Sequence, residues 1–264
     1  MRTRDFNLIL SGGAALGYAH IGVLEYLYEV GLSPKAIYGV SMGAIVGAIE
    51  ALDVSNSRKL ELFDKSFNSI GWIRPKFNGA LISTKKIEEM LIDIFGDMEF
   101  THLQKDLHIG ATNYHTGELT IFNKNNSVKL TDAILASMAV PSVFPARVID
   151  NVVYVDGYLS SNIIVNRDDK CALNLVVNVT GKNSFKQYKT KKLQKLSIAN
   201  NIERSIRILI YNQTKQILKN VDNLMLLEPD LHKYKTSHFT KYRKIREIGK
   251  ITAKEALDIN KFLL

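Results

Sequence analysis

Residues 36–52 begin with Ala36-Ile-Tyr-Gly-Val40, pass through Ser41, and continue as Met42-Gly-Ala-Ile-Val-Gly-Ala-Ile-Glu-Ala-Leu52. The first five residues form a short apolar run, which predicts a strand. The residues after Ser41 are small and apolar enough for a buried helix. The sequence therefore predicts a strand, a turn at Ser41 and a helix in immediate succession.

A similar unit stands at the start of the chain. Phe6-Asn-Leu-Ile-Leu-Ser11 predicts a strand, and it is followed by the glycine-rich stretch Gly12-Gly-Ala-Ala-Leu-Gly17. From Tyr18 to Val30 the apolar residues recur at three- and four-residue spacing and Gly31 supplies a stop, so a helix is predicted. Alternating strands and helices imply a sheet between helical layers. We therefore predict an α/β protein with three α/β/α layers and a mostly parallel central sheet.

The rest of the chain continues this alternation. Predicted helices are Ser57–Ser69, Thr84–Phe95, one capped by Thr131 that ends before Pro141, Leu193–Asn220 and Arg243–Phe262; predicted strands are Leu107–Asn113, Glu118–Asn123, Val152–Val155, Leu173–Val179 and Asn223–Leu227. The loop Gly71–Gly79 and its neighbouring helices are interpreted as a cap or lid. No internal repeat or linker is evident, so we predict one domain over residues 1–264 with a basic helical C-terminal region at about 182–264.

The composition is that of a folded globular protein. The chain has 264 residues, 46% hydrophobic and 23% charged, which excludes a disordered or low-complexity chain. The net charge of +9 is unevenly placed: residues 182–264 carry 19 Lys or Arg and 7 Asp or Glu, a net of +12, so residues 1–181 carry a net of −3. The single cysteine, Cys171, excludes an internal disulfide and a cysteine-based zinc cluster.

The N-terminal residues give the expected location. Met1-Arg-Thr-Arg-Asp-Phe6 lacks the apolar core of a signal peptide, and no apolar run approaches the roughly 18–20 residues needed to span a bilayer. We therefore expect a cytoplasmic protein without a signal peptide or transmembrane segment. Peripheral contact with a membrane and secretion without a cleaved signal are the alternatives.

Gly39-Val-Ser-Met-Gly43 fits the pattern Gly-x-Ser-x-Gly at a junction between a strand and a helix. A serine on this sharp turn is raised above the sheet edge, where the helix N-terminus offers amides and a positive dipole to an oxyanion. Gly39 and Gly43 would avoid collision with neighbouring backbone. Ser41 is therefore a candidate nucleophile. The alternative is a tight turn with an incidental serine.

A serine hydroxyl needs a base to act as a nucleophile near neutral pH. None of the histidines has a local setting that marks it as that base, and we expect them to be structural or solvated: His20, His102, His108, His115, His232 and His238. Asp156 is a better candidate, because it ends an apolar strand and Gly157 after it lets the chain turn. The alternative is an ordinary Asp-Gly turn.

The loop Gly12-Gly13-Ala14 can bring consecutive backbone amides close to a substrate. Such a loop could form an oxyanion hole or a phosphate cradle. It has no Gly-Lys-Ser/Thr and its glycines are out of register for Gly-x-Gly-x-x-Gly, so nucleotide binding is weakly supported.

Taken together, these motifs resemble the patatin-like phospholipase family. The matching stretches are Leu8-Ile-Leu-Ser-Gly-Gly-Ala-Ala-Leu-Gly-Tyr-Ala-His-Ile-Gly-Val-Leu24, Tyr38-Gly-Val-Ser-Met-Gly-Ala-Ile-Val-Gly-Ala48, Ala136-Ser-Met-Ala-Val-Pro-Ser-Val-Phe-Pro145 and Tyr154-Val-Asp-Gly-Tyr-Leu159. The resemblance implies a patatin-like fold and a Ser–Asp dyad without a catalytic histidine. Ser41 matches the nucleophile, Asp156 the base, and Gly12, Gly13 and Ala14 the oxyanion loop.

The resemblance implies a lipid acyl hydrolase of the phospholipase A or lysophospholipase type. It would cleave carboxylic esters of a lipid substrate through an acyl-enzyme, with no metal or organic cofactor. The chain departs from the family loop Gly-Gly-Gly-x-Arg/Lys-Gly at Ala14 and Leu16, and Tyr158 stands where the family favours Gly or Ala. The alternative is a catalytically impaired relative that acts as an anionic-membrane or nucleic-acid binding module.

The basic C-terminal region supports a second hypothesis. Its lysines cluster beside a predicted helix at Lys182, Lys186, Lys189, Lys191, Lys192 and Lys195, and the apolar residues of that helix include Leu193, Leu196, Ile202, Ile206 and Leu209. This combination suits peripheral contact with an anionic membrane. The alternative is a solvated lysine face on a core-packed helix. No nucleic-acid partner is expected, because aromatic interleaving and zinc-finger or RNA-binding signatures are lacking.

Overall fold

A computed structural model of the chain describes residues 5–68, 85–166, 173–185 and 197–260. The loop Gly71–Gly79, interpreted from sequence as part of a lid, lies outside the described residues. So do five of the six clustered lysines, from Lys186 to Lys195, and the apolar residues Leu193 and Leu196.

The described residues form a sheet of eight strands. The strands are β1 (Phe6–Leu10), β2 (Ala36–Val40), β3 (Asp106–Asn113), β4 (Leu119–Phe122), β5 (Arg147–Ile149), β6 (Val152–Asp156), β7 (Leu173–Val177) and β8 (Leu224–Leu227). Their order is β5-β6-β3-β2-β1-β7-β8, and β4 also pairs with β3. The five strands from β3 to β8 in this order are parallel, whereas β4, β5 and β6 make antiparallel pairs. The predicted mostly parallel sheet is confirmed.

Helices cover both faces of the sheet. They are α1 (Tyr18–Glu29), α2 (Met42–Glu50), α3 (Asn56–Asn68), α4 (Lys85–Phe95), α5 (Leu130–Ser137), α6 (Ile198–Leu218) and α7 (Tyr242–Asn260). Successive residues of β1 face opposite cores: Leu8 lies in the larger core with α1 to α5 and α7, and Ile9 lies in a smaller core with Ile163 and Ile164. The last turn of α6 packs against the smaller core. The predicted three-layer α/β/α arrangement is confirmed.

Strand β6 brings two distant parts of the chain together. β4 pairs along one edge of β3, and a strand has only two edges, so β2 and β6 share the other. On that edge Val40, the last residue of β2, pairs with Gly110, and Asp156, the last residue of β6, pairs with Ala111. Because β2 and β6 run in opposite directions, their carboxyl ends meet beside β3.

Helix α7 packs closely on α1. A Cβ at Gly22 would lie 1.8 Å from the carbonyl oxygen of Arg246, so only glycine allows this approach. Arg246 and Lys250 form ion pairs with Glu25 at 2.8 and 2.9 Å. Part of the positive charge of the C-terminal region is therefore balanced by the acidic first part of the chain.

Two local predictions are wrong. The N-cap of α5 is Lys129, and Thr131 lies inside the first turn, because the helix starts where Leu130 is buried in the core. The apolar run Val152–Val155 predicts a strand buried on both faces. The first two residues of β6 are instead half-buried, since β6 lies in the antiparallel part of the sheet. The short strand β5 was not predicted.

The apolar residues of α6 do not pack in the core as the alternative interpretation required. Ile202, Ile206 and Leu209 are exposed, whereas Arg207 and Thr214 on the opposite side of the helix are buried. The helix therefore contacts the protein through polar side chains along much of its length.

Candidate active site

Ser41 occupies a strained turn between β2 and α2. Its backbone angles are φ 55° and ψ −120°, in the left-handed region that residues with a side chain rarely adopt. The turn depends on close backbone approaches at both flanking glycines. A Cβ at Gly39 would lie 2.5 Å from the carbonyl oxygen of Gly43, and a Cβ at Gly43 would lie 2.3 Å from that of Leu10. Glycine at both positions is therefore required by the packing of α2 on the sheet.

The structure brings Asp156 into direct contact with Ser41. The Ser41 hydroxyl donates to Asp156 Oδ2 at 2.7 Å, and the backbone amide of Tyr158 donates to Asp156 Oδ1 at 3.0 Å. Both side chains are buried, and Asp156 is fully so. Gly157 permits the chain to turn here, because a Cβ would lie 2.3 Å from the carbonyl oxygen of Gly110.

The environment of Asp156 strengthens it as a base. Burial raises the pKa of the Asp156 carboxyl from 3.8 to about 7, against the hydrogen bonds from Tyr158 and Ser41, which lower the pKa. A carboxylate with a pKa near neutrality accepts a proton more readily than an ordinary aspartate and is still substantially ionised at pH 7.

Ser137 fixes the backbone of the turn, a role that the sequence did not reveal. The Ser41 amide donates to Ser137 Oγ at 2.8 Å, and the Ser137 hydroxyl donates to the carbonyl oxygen of Gly110 at 2.6 Å. Ser137 is fully buried and ends α5, so it joins α5, β3 and the strained turn. It lies within a stretch that resembles the patatin-like family, which was the available signal.

The glycine-rich loop lies against Ser41. A Cβ at Gly12 would lie 3.3 Å from the Ser41 Cβ and 2.7 Å from Asn162 Oδ1. The Gly12 amide donates to the Asn162 carbonyl at 3.3 Å. The amides of Gly13 and Ala14 have no acceptor among the described residues, and both residues are partly exposed. These two amides are the ones that the loop can offer to a bound oxyanion.

The structure shows where the three residues that depart from the family pattern lie: Leu16, Tyr158 and Ala14. Leu16 is fully buried in the larger core, so this position contributes packing rather than a group that a head group could reach. Tyr158 holds Asp156 through its backbone amide, and that contact does not depend on the side chain. Ala14 adopts φ 47°, a strained conformation in which glycine would be easier.

In the described part of the chain, which includes all six histidines, none of them forms a hydrogen bond with Ser41. His20 is fully buried and donates from Nε2 to the Ser11 carbonyl at 2.8 Å, and burial lowers its pKa to about 4. It is therefore neutral near pH 7 and supports the strand end before the loop. The other five histidines lie in other local contacts: His102, His108, His115, His232 and His238. This agrees with the structural or solvated roles expected for them.

Within the described residues, no group of three His, Cys, Asp or Glu side chains is placed to hold a metal ion. No helix in that part of the chain combines the length and apolar character needed to cross a bilayer.

A serine on a strand-to-helix turn is activated as a nucleophile by an adjacent group that accepts its proton, and the buried carboxylate bonded to Ser41 is placed to do so. A family model described as Patatin-like phospholipase matches residues 8–167, more than half of the chain. The chain belongs to this family. The match includes Ser41, Asp156 and the glycine-rich loop.

Individual relatives are much longer than this chain. It is 32% identical over 161 residues to the uncharacterized NTE family protein Rv1063c of Mycobacterium tuberculosis, covering 57% of this chain and 41% of that protein. It is 26% identical over 203 residues to triacylglycerol lipase 4 of Saccharomyces cerevisiae, covering 61% of this chain and 22% of the lipase. The chain thus spans well under half of the length of these relatives.

Among solved structures, VipD from Legionella pneumophila aligns with 98% of this chain and 67% of its own, at 14% identity and a TM-score of 0.48. A likeness of this size supports no statement about activity.

Proposed function

We propose that the protein is a lipid acyl hydrolase that cleaves carboxylic esters through Ser41 and Asp156. The observation that carries the proposal is the 2.7 Å hydrogen bond from the Ser41 hydroxyl to the buried Asp156 carboxylate. Membership of the patatin-like phospholipase family supports a lipid substrate. The name of the yeast triacylglycerol lipase relative supports ester hydrolysis within the same class of reaction.

The proposed first step forms an acyl-enzyme. The Ser41 oxygen attacks the ester carbonyl carbon as its proton passes to Asp156 Oδ2. The tetrahedral oxyanion accepts hydrogen bonds from the amides of Gly13 and Ala14, contributions of about 2.7–4 kcal/mol per donor in such sites. Collapse breaks the bond to the alcohol oxygen, which leaves with the proton from Asp156.

The second step releases the acyl group. Water attacks the acyl-enzyme and gives a proton to Asp156, and the resulting tetrahedral intermediate expels the Ser41 oxygen, which takes that proton back. The products are a carboxylic acid and the free enzyme. Both half-reactions use the same base, and the proposed steps require no cofactor.

The test is hydrolysis of a short-chain p-nitrophenyl ester by purified protein. Ser41→Ala and Asp156→Asn are expected to lower kcat/KM by about a thousandfold or more. The matched controls Ser127→Ala and Asp53→Asn change exposed residues and are expected to retain full activity. Full activity in Ser41→Ala or Asp156→Asn would refute the dyad.

The substrate class needs a separate experiment. Products formed from phosphatidylcholine vesicles and from a triacylglycerol emulsion are to be identified by mass spectrometry. Fatty acid release that disappears in Ser41→Ala is expected from at least one of these lipids. Activity on the soluble ester alone would restrict the proposal to a general esterase.

A further inference from the structure

Helix α6 buries polar side chains against the protein and exposes aliphatic ones, except in its last turn, where Ile217 and Leu218 pack on the smaller core. The buried Arg207 donates to the carbonyl of Ser184 and lies over the ring of Phe185, 5.3 Å from its centroid. Thr214, two turns later, is also buried. A helix that only covers an apolar core has the opposite arrangement. Packing among the described residues therefore does not account for the outer face of α6.

Four aliphatic residues form this outer face, which we call the α6 stripe. They are Ile198, Ile202, Ile206 and Leu209, exposed by 80, 55, 37 and 69%. With 3.6 residues per turn they fall within an arc of about 80°. A continuous exposed apolar row of this kind marks an interaction surface.

The charge around the stripe indicates what kind of surface would bind it. One further aliphatic residue, Ile208, is 42% exposed on α6 outside the stripe. The remaining exposed residues of the described helix are polar, and Lys215 is the charged one: Asn201, Ser205, Asn212, Lys215 and Gln216. Glu203 is the acidic residue of α6, and it is partly buried and accepts a hydrogen bond from Thr236 Oγ1 at 3.1 Å. An exposed aliphatic row on a helix whose exposed charge is a lysine, with no exposed acid among the described residues of that helix, fits an anionic lipid surface.

The same helix is joined to the catalytic loop at two points. In the C-terminal half of α6, Gln213 Oε1 accepts a hydrogen bond from the backbone amide of Asn162 at 3.3 Å. The carbonyl oxygen of Asn162 in turn accepts a hydrogen bond from the backbone amide of Gly12. In the N-terminal half of α6, Glu203 accepts a hydrogen bond from the hydroxyl of Thr236. The carbonyl oxygen of Thr236 accepts a hydrogen bond from the backbone amide of Ala15 at 3.0 Å. The α6 stripe is thus carried by an element that adjoins the candidate active site.

We propose that the α6 stripe is the surface through which the protein docks onto an anionic lipid bilayer, with the Ser41 site held beside that bilayer. The proposal rests on the proposed function, because a lipid ester hydrolase must meet its substrate at a lipid surface. Docking uses insertion of the aliphatic side chains and attraction between Lys215 and anionic head groups.

The test compares Ile202→Asn/Leu209→Asn with Ile92→Asn, which changes an isoleucine of α4 that is 54% exposed. Binding to vesicles of phosphatidylcholine with phosphatidylglycerol is measured by co-sedimentation, with all proteins also carrying Ser41→Ala so that no lipid is hydrolysed. The double variant is expected to bind at least about tenfold more weakly, and the control to bind normally. Phosphatidylcholine alone and high salt are each expected to weaken binding of the parent protein.

The outcomes separate docking from catalysis. With Ser41 intact, the double variant and the control are expected to hydrolyse a soluble ester at the parent rate. Equal vesicle binding by the parent and the double variant would overturn the docking surface and leave the hydrolase proposal standing. Vesicle binding without esterase activity in the parent would refute the hydrolase and leave the surface. A dimer that the double variant dissociates, without vesicle binding, would identify a second copy as the occupant.

Discussion

The buried charge of Asp156 should make the wild-type protein less stable as pH rises, and Asp156→Asn should remove this dependence. Burial raises the pKa of the native carboxyl from 3.8 to about 7, a difference of about 3. Each pKa unit corresponds to 1.36 kcal/mol, so ionising this group in the native state costs about 4 kcal/mol.

The sign follows from the protons bound in each state. Between pH 4 and 7 the native protein keeps the Asp156 proton and the unfolded chain has lost it, so stability decreases as pH rises through this window. Above pH 7 the full cost is present. Asparagine has no proton to lose, and it can still accept from the Tyr158 amide and donate to the Ser41 oxygen. The free energy of unfolding should therefore be nearly equal in the two proteins at pH 4. At pH 8 that of the variant should be higher by about 4 kcal/mol.

Guanidinium unfolding of both proteins at intervals from pH 4 to 9 measures this difference. The lowered pKa of His20 acts in the opposite direction, with stability lost as pH falls from 6.5 towards 4, but it is common to both proteins and cancels. Parallel stability profiles of wild type and Asp156→Asn across this range would refute the reasoning that Asp156 is held in the protein as a costly base.

Three further predictions concern the same site. The kcat/KM for a soluble ester should rise with pH along a single ionisation and be half-maximal at about pH 7, because Asp156 must be ionised to act as a base; a flat pH profile would contradict this assignment. Ser137→Ala should lower the free energy of unfolding by about 2–4 kcal/mol and also reduce kcat, since the buried Ser41 amide and Gly110 carbonyl lose their partner; guanidinium unfolding and ester kinetics measure both effects. Gly43→Ala should abolish esterase activity and destabilise the protein by about 1–3 kcal/mol or more, as its Cβ would lie 2.3 Å from a carbonyl oxygen of β1; wild-type melting temperature and activity in this variant would exclude the close approach.

The sequence predicted the local part of the candidate site well. The strand, turn and helix around Ser41 follow from an apolar run, a glycine pair and a small-residue helix, all within residues 36–52. Asp156 was recognised in the same way, from its place at the end of a strand. The local pattern could not predict the contact between Ser41 and Asp156, because this contact depends on β6 pairing antiparallel to β3 and ending beside β2.

The residues that the sequence missed act over long separations in the chain. Ser137 contacts the Ser41 amide from 96 residues away, and Asn162, in the connection between β6 and β7, contacts Gly12 across a still longer stretch of chain. Neither serine nor asparagine carries a local signal for such a role. Helix α6 shows a different limit: the sequence predicted a helix with apolar residues beside basic ones, but only packing reveals that Arg207 faces inward and the α6 stripe outward.

The most direct test of the central claim is covalent labelling with a fluorophosphonate probe, followed by mass spectrometry of the modified peptide. A serine activated by Asp156 should be modified at one position, Ser41, with labelling absent in Ser41→Ala and slowed by about a hundredfold or more in Asp156→Asn. Equal labelling of wild type and Ser41→Ala, or modification at a different serine, would contradict the assignment of Ser41 as the nucleophile.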